Sequence, residues 1–129
     1  MDVRTAARGS LAVIRLVNGA AALVTPQVMA RRLGADPGQP ALVYVLRMFG
    51  VRTVVIGARL LFPADADELD RELRTGTLIH ASDALAAACA GREGLLPRRM
   101  AAAATAISTV NVALTLVARG WPCRLPDVR

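Results

Sequence analysis

Four apolar segments, each about as long as a bilayer is thick, take up nearly all of this 129-residue chain. They lie at about 9–31, 41–62, 65–90 and 98–119, with a loose tail expected over 120–129. A helix that crosses hydrocarbon needs ~20 mostly apolar residues. The last segment meets that need most plainly, because Met100 to Ala118 is nineteen residues without a charge. The first is interrupted only by Arg15 and Asn18 between Gly9 and Met29, and the second holds Arg47, Arg52 and Arg59 before stopping at Pro63. The third reaches spanning length only if its acidic start, PADADELDRELR, stays outside the membrane. In that start Asp65 and Glu68 have capping-box spacing, and Asp67–Arg71 and Asp70–Arg74 are four apart. Proline- and glycine-marked turns separate the segments and no strand alternation persists. The expected fold is therefore all-α, a four-helix antiparallel transmembrane bundle. A soluble oligomeric helical bundle, the competing reading, requires a polar face on every helix, and the fourth segment has no charged one.

Composition narrows the partners. Apolar residues make up 54 %, and the net charge of +6 comes entirely from arginine, since no lysine is present. The arginines dot the apolar segments or flank them instead of forming the patch that nucleic acid requires. Aromatic residues, at 3 %, are too few for base stacking, so no nucleic-acid partner is expected. Cys89 and Cys123 lie far apart with no CxxC and no histidine at ligand spacing, so no metal site is expected, and Cys89 reads as a small buried apolar residue. No cleavable signal peptide is expected, because Arg15 interrupts the first apolar run. The expected location is the inner (plasma) membrane. Seven arginines (Arg4, Arg8, Arg71, Arg74, Arg119, Arg124, Arg129) flank the end that carries both termini, against Arg31, Arg32, Arg92, Arg98 and Arg99 at the other. The positive-inside rule then places the termini in the cytoplasm. Expected partners are the lipid bilayer and, beyond it, another membrane protein or a second copy of the chain.

Polar residues within apolar segments are costly in a membrane, ~2.5–3.5 kcal/mol for Arg or Asp at a helix centre, so they face the bundle interior and pair. Helical spacing sorts them. Arg15, Asn18, Gly19 and Ala22 share one face of the first segment, and Gly76, His80, Asp83 and Ala87 share one face of the third. Ala104, Ser108, Asn111, Thr115 and Ala118 form a small, weakly polar stripe on the fourth, suited to close helix approach. On the second, Arg47 shares a face with Gly50, Val54 and Gly57, while Arg52 points ~140° away from Arg47. The expected polar network is Arg15, Asn18, Arg52, His80, Asp83 and Asn111. Within it Asp83 is the shared acceptor for Arg52 and Arg15, and His80 and Asn18 complete the set.

Three stretches carry a family likeness: RLVNGAAALVTPQVMARRLG (15–34), RMFGVRTVVIGARLLFP (47–63) and HASDALAAACAGR (80–92). They resemble the recurring blocks of small four-helix membrane proteins of unknown function from high-GC bacteria, distantly similar to DoxX-like proteins. The likeness spans residues 11–119. It implies that Arg15, Gly19, Pro26, Gly50, Arg52, Gly57 and Asp83 occupy the pattern's recurring positions. It also implies an association with membrane redox complexes and quinone or thiol chemistry. The chain has no paired-cysteine motif for the thiol part.

No catalytic residue or cofactor is expected. His80 and Asp83 stand without a nucleophile at working distance in sequence, a second acid or a phosphate loop. The reading that follows is a non-enzymatic structural or accessory membrane component held by a buried Arg–Asp–His network. The alternative is a redox accessory or carrier that binds a quinone or an anionic lipid head group near His80, Asp83 and Arg52.

Overall fold

The computed structural model describes residues 2–120. Among them the chain is all-helical, with five helices: α1 (Val3–Val24), α2 (Pro26–Leu33), α3 (Pro40–Leu61), α4 (Ala66–Arg92) and α5 (Arg98–Ala118). Where four were expected, the first apolar segment is two. Thr25 leaves the helical region at φ −127°, ψ 52°, and Pro26 opens α2. Proline has no N–H to donate and suits the first turn of a helix, so the break falls where the sequence carries it. The helix α2 closes on Gly34 at φ +83°, whose N–H reaches the Ala30 and Arg31 carbonyls. That left-handed conformation is one that glycine adopts freely. The expected loose tail, from 121 onward, lies outside the described residues.

Helices α1, α3 and α5 are long and apolar enough to cross a membrane. The apolar side chains of α3 are mostly turned outward: only 11 % of its most apolar window is buried, and Val45, Met48, Phe49, Val51 and Val55 are exposed. Tyr44 and Phe62, also exposed, stand near opposite ends of α3. Eighteen residues at 1.5 Å each separate them by about 27 Å, close to the ~30 Å of a hydrocarbon core. The helix α4 is less apolar. Its start is a solvent-facing cap, in which Asp65 Oδ1 accepts from the Glu68 N–H at 2.6 Å and Glu68 Oε2 accepts from the Ala64 N–H at 2.7 Å.

Packing joins two helix pairs, α1 with α3 and α4 with α5, through a smaller α1–α5 contact. The α1–α3 pair is tight because it is built on glycine. A Cβ on Gly50 would lie 2.7 Å from the Gly19 carbonyl oxygen and from the Leu23 nitrogen, and one on Gly19 would lie 2.9 Å from Gly50 O. Close backbone approach through small residues holds helices together where lipid removes the hydrophobic driving force. The face of Gly50, Val54 and Gly57 is thus the α1-packing face, and Arg47 at its edge is exposed. Helices α3 and α4 touch little. Their ion pairs, Arg59 with Glu72 at 2.7 Å and with Glu68 at 3.2 Å, sit beside the turn that connects them.

The core lies in the half that carries the termini. Leu11, Ala12, Leu60 and Leu73 are buried there, with Leu69, Leu114 and Ala118 packed around them. In the other half α2 lies against α1, α3 and α5.

Candidate functional site: a polar layer beneath an apolar cavity

Arg15 is buried, with 4 % of its surface exposed, and its guanidinium crosses from α1 to α4. Two glycines make the space. Gly57 on α3 passes the stem, where an added Cβ would lie 3.2 Å from Arg15 Cβ, and Gly76 on α4 passes the head, where one would lie 2.9 Å from Nη2. At the end of this slot Arg15 Nη2 donates to His80 Nε2 at 2.6 Å. Arginine has no acceptor, so Nε2 supplies the lone pair and the imidazole is the neutral tautomer with its proton on Nδ1. Burial strips water from Arg15, the Glu72 carboxylate attracts it and the Arg52 guanidinium repels it. The helices α1 and α4 do not otherwise pack closely. The link from Arg15 to His80 therefore supplements the core, where Leu73 of α4 joins Leu11 and Ala12 of α1.

The network differs from the expected one in its acid. Asp83 is exposed and makes no ion pair or hydrogen bond with any described residue, so it is not the acceptor for Arg15 or Arg52. Arg52 is exposed too. Depth explains the difference. Gly76 and Asp83 share a face of α4, but Gly76 lies level with Arg15, while Asp83 is seven residues, about 10 Å, further along. The carboxylate that attracts Arg15 is that of Glu72, one turn before Gly76; its direct ion pair is with Arg59. Glu72, Gly76 and His80 repeat every four residues on one stripe, a signal the sequence does carry. Asn111 is buried as the stripe on α5 predicts, and its main-chain carbonyl accepts from Thr115 Oγ1 at 2.5 Å. The buried atoms Asn111 Oδ1 and Arg15 Nε have no hydrogen-bond partner. Cys89 is exposed on α4, not buried as expected, and Cys123 lies outside the described residues.

Above this layer the bundle opens into an apolar cleft. A cavity of about 710 Å³ is lined by the second half of α1, by α2, by the first halves of α3 and α5, and by Asp83 from α4. Its wall is mainly apolar, with Leu46, Phe49, Met100, Ala104 and Ile107 among its residues. Asn18, Asp83 and Ser108 are its polar groups on the long helices, and each stands three residues from another polar residue: buried Arg15, half-buried His80 and buried Asn111 in turn. One helical turn thus separates a filled polar layer from an open apolar volume. Cavities of ~300–1,000 Å³ with apolar walls and a few convergent polar groups are the usual form of a small-molecule site. Arg32 on α2 is the other charged residue of the wall, and it is exposed. Of the six expected network residues the structure joins Arg15 to His80, places Asn18 and Asp83 on the cavity, buries Asn111 and leaves Arg52 at the surface. The cavity's apolar wall had no mark in the sequence, since its residues differ in no way from lipid-facing ones.

Comparison with known proteins finds no matching family, no matching curated protein and no matching solved structure. The site stands on its own geometry.

Proposed function

We propose that the protein is an integral membrane protein of the inner membrane, with cytoplasmic termini, that binds a small apolar or amphipathic molecule in the cavity beneath α2. It acts as a carrier or accessory component rather than as an enzyme. The observation that carries this reading is the 710 Å³ apolar cavity, lined from five helices and bounded by the Arg15–His80 layer. Helices α1, α3 and α5 supply spans, and the apolar part of α4 from Thr75 to Gly91 completes the fourth. Exposed Leu78 and Leu85 on α4 suit lipid contact. The DoxX-like resemblance points in the same direction, toward a membrane protein associated with an apolar redox molecule. The cavity reaches Asp83 but not His80 or Arg52, so the ligand meets one member of the expected binding set and is separated from the other two.

The Arg15–His80 link serves the fold in this reading. It fixes α4 relative to α1 and sets the floor of the cavity. A buried polar contact of this kind specifies helix register where an apolar seam would slip.

Two measurements test the proposal. Alkaline carbonate washing of membranes should leave the protein in the pellet; its release would overturn the membrane assignment. Native mass spectrometry of the detergent-extracted protein should show one apolar molecule per chain, reduced in Ala104→Phe, which puts a ring into the cavity. Equal occupancy of both proteins, or of neither, would overturn the cavity assignment.

A further inference from the structure

Asp83 is the one acidic side chain on the cavity wall, and nothing among the described residues neutralises it. It stands nine residues inside the end of α4 at Arg92, about 13 Å along the helix axis. Asn18, Thr25 and Ser108, the neutral polar groups of the wall, can hydrogen-bond a carboxylate or a ligand but cannot cancel its charge. The arginines nearest in sequence pattern are committed elsewhere: Arg15 is sealed in its slot on His80, and Arg52 does not line the cavity. Arg32, on α2, is the one cation of the wall; it is exposed, where solvent screens its charge, and it makes no ion pair with Asp83.

An ionised carboxylate facing an apolar volume is costly unless a positive charge meets it. An anionic occupant would add repulsion, and a neutral one would leave the carboxylate uncompensated. A molecule with an apolar body and one positive charge satisfies both the wall and Asp83. Phe49 adds an aromatic ring to the wall, and Met29 and Met100 add polarisable thioethers, side chains that favour a large, weakly hydrated cation. We propose that the cavity binds a lipophilic organic cation, an onium or protonated amine on an apolar body, with Asp83 as its counter-ion. This rests on the ligand-binding reading above and adds the sign of the ligand's charge.

The test uses the full chain purified in a non-ionic detergent and two probes of nearly equal size and opposite charge, tetraphenylphosphonium and tetraphenylborate. Equilibrium dialysis is corrected for uptake by empty micelles. Wild-type protein should bind phosphonium saturably at one per chain and more tightly than borate. Asp83→Asn should weaken phosphonium binding at least about tenfold, the loss expected for one close ionic contact in a partly dry site, and should leave borate unchanged or tighter. Asp83→Glu should retain the phosphonium preference, and Arg32→Gln should raise phosphonium affinity by about threefold or less. Borate binding by Asp83→Asn reports that the variant is folded, and the wild-type preference is read without any variant. If both probes bind saturably with equal affinity, or if borate binds better to the wild type, the cation assignment falls and the cavity reading stands. If neither binds above micelle uptake, both fall.

Discussion

The two ends of the molecule are built on different terms. The half that carries the termini is filled, and three of its arginines are paired, although Arg4, Arg8 and Arg71 make no ion pair with a described residue. Leu11, Ala12, Leu60 and Leu73 are buried, and the arginines Arg59, Arg74 and Arg119 meet Glu68, Glu72 and Asp70. The half under α2 opens into an apolar cleft, and among the described residues its arginines Arg31, Arg32, Arg92, Arg98 and Arg99 make no ion pair. The same helices cross both halves. What differs is where the glycines lie and which helices converge. Gly19, Gly50 and Gly57 draw α3 onto α1 along its length, while α3 and α4 are joined by ion pairs only near their connecting turn. A bundle held on one side and pinned at one end leaves space at the other.

The sharpest way to break this comparison is one substitution made in each half. Ala12→Leu inserts three carbons where the residue is fully buried and should cost about 3 kcal/mol in detergent unfolding. Ala104→Leu adds the same atoms to the cavity wall and should change stability by about 0.5 kcal/mol or less. Equal costs would mean that the two halves are equally packed.

Removing the boundary between the halves comes next. Arg15→Ala empties the slot formed by Gly57 and Gly76 and leaves His80 without its donor, and the melting temperature should fall by the equivalent of about 2 kcal/mol. A smaller effect comes from acid. The contact exists only while Nε2 is unprotonated, so its stabilisation is present at neutral pH and lost as pH falls and the imidazole gains a proton beside the guanidinium. The wild type should lose about 1 kcal/mol more on acidification than His80→Gln, whose amide oxygen accepts at any pH. Identical pH profiles for the two proteins would remove His80 from the boundary. The smallest effect is expected at the turn. Arg59→Gln deletes both ion pairs to α4, but Arg59 is largely exposed, and the loss should stay below about 1 kcal/mol.

Much of the frame was legible because it follows from spacing alone. The buried faces of α1 and α5, Arg15 with Gly19 and Ala22, and Ser108 with Asn111 and Thr115, are those that the helical repeat selects. The cap at Asp65 and the Asp70–Arg74 pair are local and were equally visible. The break at Thr25–Pro26 was written in the proline, but the apolar run around it masked the boundary. Asp83 was misplaced for another reason. A periodicity reports the direction in which a side chain points, and it does not report whether a neighbour at that depth is packed or absent. Gly76 and Asp83 point the same way, yet one meets Arg15 and the other meets the cavity. The open half depends on distances between helices, which no single helix encodes.

The central claim is that an apolar molecule from the bilayer occupies the space beneath α2, and photolabelling in native membranes tests it most directly. A small apolar diazirine such as adamantane diazirine should label Leu46, Phe49, Met100 and Ile107 saturably, and an excess of unlabelled adamantane should suppress the labelling. The exposed Val51 and Val55 should be labelled weakly and without saturation. Equal, unsaturable labelling of both sets would show that the cavity is not a site and would contradict the account.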